Sequence, residues 1–541
     1  MADILAGVAV WAVMVPEGMA YSGIVGVPPI IGLYTIVPPL IVYALLGTSR
    51  VLVVGPDTAT GLISAVTVGA LAAQGTADFN ALTSTLAILI GAFFLAFGAL
   101  RMGWVAAFIP TPVMRGFIEG LVLVTIIGQV PHLLGIRGTS GNFFDKLWFV
   151  LRHLPPALTG LLCLAAMLLL RRLAPRMPAP LIVAVVALIV VGLLGGETAG
   201  ISVVGDLPSG LPHLTPPVLD PGMLWELAPG ALAIVLIGYA EALGGAKAAA
   251  RQGDDAIDPN QELVAHGPAN ILSGLFGGFL VVGSLSKTSV AMAAGARTQV
   301  ANLVAALLCF LTLVVLTPLF RGMPHPTLAA IVIAAMLHLS KPGYLRDLLV
   351  RARWEFAIAV IVIVSELTLG VLQGIALGVV LSLLLLIYRT SHPHGAVLGQ
   401  VPGMEAYRNV ERHPEAITFP GLLIWRPGGE LFFASIGHLG DGLKAALAAS
   451  QPPAKHVLVD AEAVNLIDAS ACDALVSLIR GVQSQGITFA FARVRDHVRT
   501  GMRLGGVEAI VGSANFHERV TDGVRAWQEH EASDGESSGT S

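Results

Sequence analysis

The chain has 541 residues, 55% of them hydrophobic and only 12% charged, with 31 Lys+Arg against 35 Asp+Glu. Soluble domains carry about 25% charged residues, so an ordinary globular protein is excluded. The net charge of −4, without any dense basic stripe, excludes nucleic acid as a partner.

The charge deficit is local. Residues 1–389 hold 19 Lys+Arg and 18 Asp+Glu, whereas the last 152 residues hold 12 and 17. A hydrocarbon core about 30 Å thick needs about 20 apolar residues per helical span. Stretches of that kind recur near 4–26, 29–46, 52–72, 83–100, 104–130, 156–171, 179–195, 228–246, 262–282, 286–295, 300–319, 325–339, 356–371 and 372–388. Fourteen stretches place both ends of residues 1–389 on one side. Arg50, Arg101, Arg171, Arg172, Arg176, Lys247, Arg251, Arg297, Lys341, Arg346, Arg351, Arg353 and Arg389 fall on that side, against Arg137, Lys146, Arg152 and Arg321 on the other. The positive-inside rule then predicts a multi-pass protein of the inner (plasma) membrane with both termini cytoplasmic. No charged n-region precedes the first stretch, so no signal peptide is read. Residues 390–419 read as a linker. Beyond it, runs at 422–425, 430–433, 456–460 and 487–491 read as buried strands, with helical patterns near 438–450, 470–485 and 516–530. That alternation predicts a small α/β domain over 420–530. The acidic, Ser/Gly-rich end, 531–541, reads as disordered. Cys163, Cys309 and Cys472 lie far apart and predict neither disulfides nor a metal cluster, and no cofactor is expected.

A faint duplication marks a site. Val53-Val54-Gly55 precedes Pro56-Asp57-Thr58, and Val281-Val282-Gly283 precedes Ser284-Leu285-Ser286-Lys287-Thr288. Glu17 lies 38 residues before Gly55, and Glu241 lies 42 before Gly283. Seven spans separate the corresponding elements, so the second half is inverted relative to the first. Interrupted segments at matching positions of two inverted halves point to a transporter's midplane site. Each break exposes backbone N–H groups at the positive end of a half-helix, which suits an anion. Lys287 adds a full positive charge there. Charges within spans default to function: Glu17, after Pro16, reads as a proton carrier. Glu241 reads as a second proton site or as the counter-charge of Lys287. Arg115, Glu119 and Glu366 read as structural ion pairs or snorkelling groups.

The same residues carry a resemblance. Asp3 through Gly7, Pro16-Glu17-Gly18-Met19-Ala20-Tyr21, Pro28-Pro29 before Gly32-Leu33-Tyr34, Ser49-Arg50, Gly55-Pro56-Asp57, Glu241 with Ala246-Lys247, Ser286-Lys287-Thr288, Leu328 through Ile333 and Leu398 through Gly403 resemble sulfate permease (SulP) family anion transporters. The carboxy-terminal domain looks like a STAS domain. The resemblance implies a seven-plus-seven inverted repeat similar to uracil transporters, with core and gate domains, a homodimer and an elevator-like motion. It places the substrate between the third and tenth spans, flanked by the first and eighth. Tyr21, Gly55, Asp57, Thr58, Ser286, Lys287 and Thr288 are then the expected binding residues. Many relatives have Gln at the position of Glu17 and Arg at that of Lys287, and the acidic version is associated with proton coupling. Ile467-Asp468-Ala469-Ser470-Ala471 is similar to the loop bearing the phosphorylatable Ser of anti-sigma-factor antagonists. Ser470 reads there as a regulatory site or as a helix cap.

No G-x-x-x-x-G-K-[ST] loop or G-x-S-x-G elbow is present, so neither ATP-driven pumping nor enzyme activity is expected. The leading expectation is proton-coupled symport of a small anion (sulfate, bicarbonate or a dicarboxylate) by a protein surrounded by membrane lipid. The alternatives are a sodium-coupled bicarbonate symporter with Asp57 and Glu241 among the cation ligands, a nucleobase transporter, and a membrane-bound signalling scaffold.

Overall fold

A computed structural model describes all residues except 109, 137–142, 153–157, 175–176, 194–200, 206–209, 251–255 and 539–541. Arg137, Arg176 and Arg251, used above for orientation, lie outside the described residues. The chain divides into two compact units, Met1–Ser382 and Leu383–Ser541.

In the first unit every hydrophobic stretch carries a helix. The first half comprises α1 (Ala2–Val25), α2 (Pro29–Tyr34), α3 (Val37–Leu46), a short strand β1 (Val53–Gly55), α4 (Thr58–Gly69), α5 (Ala77–Ala99), α6 (Thr111–Leu133), α7 (Phe143–Arg152), α8 (Leu158–Leu173) and α9 (Ala179–Leu193). The second half comprises α10 (Pro221–Ala249), α11 (Pro259–Leu275), β2 (Val282–Ser284), α12 (Leu285–Ala293), α13 (Val300–Leu311), α14 (His325–Leu339), α15 (Pro342–Arg351), α16 (Arg353–Thr368) and α17 (Val371–Ser391). Among the described residues, eight helical segments are long and apolar enough to cross a membrane. Local chemistry sets the boundaries. Gly26 ends α1 in the left-handed region at φ 92°, where its N–H reaches the Ser22 carbonyl. Asp57, Asp220 and Asp258 cap α4, α10 and α11 through their side chains.

The helices sort into two packed groups. In one, α5 lies along α11, α1 along α13, α3 along α11, and α10 against α5 and β2. In the other, α6 packs on α16 and α14, and α8 on α14 and α9. The groups meet where α1 touches α9 and α14. β1 and β2 pair antiparallel in register Val53↔Ser284, Val54↔Gly283 and Gly55↔Val282, as an inverted repeat requires of its matching breaks.

Of the three polar side chains expected to pair or snorkel, Glu119 and Glu366 depart from expectation. Glu119 accepts from the Ser340 hydroxyl at 2.6 Å and the Lys341 amide at 2.5 Å, tying α6 to the turn between α14 and α15. Arg115, half-buried near the start of α6, places its guanidinium 5.6 Å from the Tyr344 ring centroid, a contact compatible with a snorkelling position. Glu366 is 2% exposed, and neither carboxyl oxygen has a hydrogen-bond partner, so it is neither paired nor snorkelling.

The second unit is a six-stranded sheet in the order β4-β3-β5-β6-β7-β8. Its strands are β3 (Ala396–Gln400), β4 (Tyr407–Asn409), β5 (Leu422–Arg426), β6 (His456–Asp460), β7 (Thr488–Ala492) and β8 (Phe516–His517). β5 to β8 run parallel, and β3 is antiparallel to both its neighbours. Helices α18 (Ile436–Ala449), α19 (Ala469–Gln483), α20 (Asp496–Leu504) and α21 (Val507–Val511) cover one face, and α22 (Val520–Ser538) covers the other. Three expectations are corrected. Residues 396–400 and 407–409 are strands of the sheet, not linker, because Leu398 and Tyr407 bury into the α22 face. Residues 430–433 form no strand; only Leu431 bridges to Ile467, and the chain turns immediately into α18. Helix α22 passes residue 531 and runs to Ser538, extending a helix whose Val520 and Val524 are already anchored.

Candidate functional site

The two breaks meet at β1 and β2, and the side chains around them are almost wholly buried. Close packing requires glycine at Gly283, which lies against the Ala242 backbone, whereas at Gly55 the only near neighbour is the movable end of the Met14 side chain. A Cβ at Gly55 would lie 2.3 Å from Met14 Cε, and one at Gly283 would lie 2.9 Å from Ala242 Cβ. Met14 precedes Glu17 by one turn of α1, and Ala242 follows Glu241 in α10, so each acidic helix presses on its own break.

Lys287 is 1% exposed and sits in the first turn of α12. Its ammonium donates to the Pro56 carbonyl at 2.8 Å, and Ser284 Oγ lies 3.5 Å away. Oε2 of Glu17 lies 3.3 Å from it and accepts no well-directed hydrogen bond, so that contact is an ion pair through space. The Tyr21 ring lies 5.0 Å from the ammonium, measured to its centroid. The counter-charge of Lys287 is therefore Glu17, not Glu241. Glu241 is half-buried and, among the described residues, forms no ion pair with the ammonium.

The two half-helix termini are inequivalent. The Asp57 carboxylate accepts from Ala59 N at 2.8 Å and Thr60 N at 3.2 Å, and Thr60 Oγ1 lies 3.3 Å away. The amides that the sequence offered to an anion at α4 are thus already taken by a carboxylate. At α12 the capping residue, Ser284, turns its hydroxyl to Ser286 Oγ at 3.1 Å, and no side chain caps the helix. The first turn of α12 is the open positive terminus, and Lys287 stands on it. The Thr288 hydroxyl is occupied structurally: it accepts from Val53 N at 3.0 Å and donates to the Ser284 carbonyl at 2.7 Å, bridging the strands. Thr58 is buried at the start of α4, and Ser286 is half-buried. Tyr21, Gly55, Asp57, Thr58, Ser286, Lys287, Thr288, Glu17 and Glu241 therefore gather around one crossing point. Among the described residues no group of three or more His, Cys, Asp or Glu could hold a metal ion.

Sequence reasoning missed a second buried cluster behind the strands. Glu262 on α11 is fully buried and accepts from Tyr43 Oη, Thr48 N, Thr48 Oγ1 and Ser49 N at 2.5–3.3 Å. His266, one turn on, hydrogen-bonds the Glu262 carbonyl at 2.8 Å through Nδ1, leaving a buried Nε2 without a partner. Glu262 thereby fixes the turn that feeds β1. The available signal was a lone acidic residue inside a span.

With this geometry in hand, the comparisons decide the family. The sulfate permease family profile matches residues 1–362, and the STAS domain profile matches residues 413–523. The chain belongs to the sulfate permease family. Among its relatives, "Probable sulfate transporter Rv1739c" of Mycobacterium tuberculosis is 34% identical over 97% of this chain and 95% of its own length. "Sulfate transporter 4.1, chloroplastic" of Arabidopsis thaliana is 30% identical over 97% of this chain and 79% of its own. A solved structure of SLC26A9 superposes with a TM-score of 0.89 at 23% identity, covering 99% of this chain and 91% of that one, which shows the fold. As a sulfate permease, the chain is a membrane-spanning anion transporter with a carboxy-terminal STAS domain, and not an enzyme.

In this sulfate permease Ser470 lies exposed at the second residue of α19. The cap of that helix is Asp468, which accepts from Ala471 N at 2.7 Å and also from Phe433 N at 2.9 Å. The capping role expected of Ser470 is therefore filled by its neighbour.

Proposed function

We propose that the chain imports sulfate together with a proton across the cytoplasmic membrane, and that the proton rides on Glu17. The Lys287–Glu17 ion pair carries this reading. While Glu17 is ionised, the one ammonium at the open α12 terminus is neutralised from within. A proton on Glu17 removes that competitor, and Lys287 then presents its charge, with the first amides of α12, to an incoming dianion. Ser286, Thr58 and Tyr21 complete the shell around it. Binding of anion and proton are thus linked through a single contact, and linkage is reciprocal. The packed group holding α1, α4, α10 and α12 would move as the transport body past the group holding α6, α14 and α16. Sulfate is favoured as substrate because relatives matching almost the whole chain carry that name. The same reading takes the protein as a homodimer with both termini cytoplasmic.

The test is uptake of labelled sulfate into proteoliposomes with and without an inward proton gradient. The gradient is expected to accelerate uptake by the wild type and to leave Glu17→Gln unaffected. Uptake that follows sodium, or that ignores the gradient in the wild type, overturns the proton role.

A further inference from the structure

The STAS domain contains a basic cavity that the transport cycle does not use. At the carboxyl ends of the parallel strands β5, β6 and β7 stand Arg426, Asp460 and Arg493. Asp460 is fully buried, accepting from Arg426 Nε at 2.7 Å, Arg493 Nε at 2.9 Å and Arg493 Nη2 at 2.5 Å. It holds both guanidinium groups in fixed orientation at the lip of a cavity of ≈ 490 Å³. Arg408 from β4 and Arg519, just before α22, line the same cavity. Among the described residues neither Arg408 nor Arg519 has a carboxylate within ion-pair distance. The lining carboxylates are Glu405 and Glu462, the latter 3.0 Å from Arg493 Nη2 and 3.8 Å from Arg426 Nη2, so with Asp460 four guanidinium groups meet three acids and, among the described residues, the unpaired ones are Arg408 and Arg519. The first turn of α22, Val520 and Thr521, closes the wall with the positive end of a 19-residue helix. Arg493 reaches this position through a backbone φ of 57°, the left-handed region that a β-substituted residue rarely adopts. Its N–H is pinned to the His517 carbonyl at 3.0 Å. Strained backbone at a non-glycine residue clusters at functional sites.

We infer that this cavity binds a small phosphate monoester. Planar guanidinium forks match the oxygens of a phosphoryl group in pairs, and a helix amino terminus adds N–H donors. The carboxyl ends of parallel strands are where α/β sheets take their ligands. The volume exceeds that of a lone oxyanion and leaves room for the esterified group. A soluble ester and a phosphorylated lipid headgroup offer the same chemistry.

The experiment uses the full chain in zwitterionic nanodiscs, with phenyl phosphate as the probe and hydrogen exchange of segments 405–409 and 519–523 as the readout. Reading exchange locally separates this cavity from the transport site. Phenyl phosphate is expected to slow exchange there saturably. The midpoint should rise about tenfold or more in R408A/R519A and recover in part in R408K/R519K, which keeps the charge but not the fork. Competition by phosphatidylinositol phosphate in the disc would identify a headgroup as the source, and its absence a soluble ester. Unchanged exchange in the wild type, equal midpoints in the variants, or equal protection by sulfate would overturn the assignment.

Discussion

Lys287, third residue of α12, holds its ammonium 3.3 Å from Oε2 of Glu17 in α1, so one ion pair joins the two halves of the inverted repeat. The partners do not depend on each other equally. Lys287 keeps the Pro56 carbonyl and Ser284 Oγ when Glu17 is neutral, whereas Oε2 of Glu17 has no directed hydrogen bond to fall back on. Lys287→Ala, which strands a buried carboxylate, is expected to cost about 3–5 kcal/mol. Glu17→Gln should cost about 1–3 kcal/mol. The double variant E17Q/K287A should be more stable than K287A alone, because no lone charge remains buried. Melting of the three variants in one detergent checks this order. Equal single losses that add in the double variant would show that the pair is not coupled.

Asp57 gives a second expectation, opposite in sign to that of a cation ligand. Its carboxylate caps α4 and repels an anion from the Ala59 and Thr60 amides. Asp57→Ala should lose about 1 kcal/mol of stability through the lost cap. It should bind sulfate several-fold more tightly at equilibrium, because two helix-terminal amides become available. Asp57→Asn should retain most of the cap. Radioligand binding to the three proteins decides between the roles: weaker binding in D57A, or sodium dependence that D57A abolishes, would make Asp57 a ligand.

Much of this was legible in the sequence, for identifiable reasons. The spans follow from apolar length, and the breaks from Gly55-Pro56 and Gly283, of which the second lies against Ala242 with no room for a side chain. Pairing of β1 with β2 follows from the repeat, since inverted halves must bring their breaks together antiparallel. The partner of Lys287 was not legible. Glu17 and Glu241 have matching spacing and both their helices pack on α12, so only the placement of the side chains in the folded core singles out Glu17. The cap at Asp57 was hidden because an acidic residue after Gly-Pro reads equally as ligand and as helix start. Residues 396–409 misled for a different reason. Their strands are three to five residues long and pack partly against α22, more than a hundred residues later, and pieces that short lack a period of their own.

Glu262, signalled in sequence only by its acidic character inside a span, should matter for stability. Its carboxylate is the shared acceptor for Tyr43, Thr48 and Ser49, the residues that lead the chain into β1. Glu262→Ala orphans several buried donors at once and is expected to cost about 3 kcal/mol. Glu262→Gln keeps one carbonyl oxygen for them and should cost about 1 kcal/mol. Because Glu262 lies behind the strands, the KM for sulfate in E262Q should stay within about twofold of the wild type. A large rise in KM with unchanged melting would move Glu262 into the binding site.

In the STAS domain the stability of the sheet should weaken in mild acid through His456. This residue opens β6 opposite Thr488 of β7, and its Nδ1 hydrogen-bonds Thr488 Oγ1. Burial, together with the nearby His517 and His530, pushes its pKa down to about 4 from the ordinary 6.5. The folded domain therefore binds the proton less readily than the unfolded chain. The stabilising effect is complete above about pH 6.5 and is lost as the pH falls from there toward 4. Other groups of the domain titrate in the same range, so the His456 contribution is isolated by difference. Hydrogen exchange of the Val457–Asp460 amides in the full chain, corrected for intrinsic rates, should lose protection more steeply between pH 6.5 and 4 in the wild type than in His456→Asn. Parallel pH profiles in the two proteins would show that His456 titrates as it does in an unfolded chain, and that its position in the sheet imposes no proton linkage.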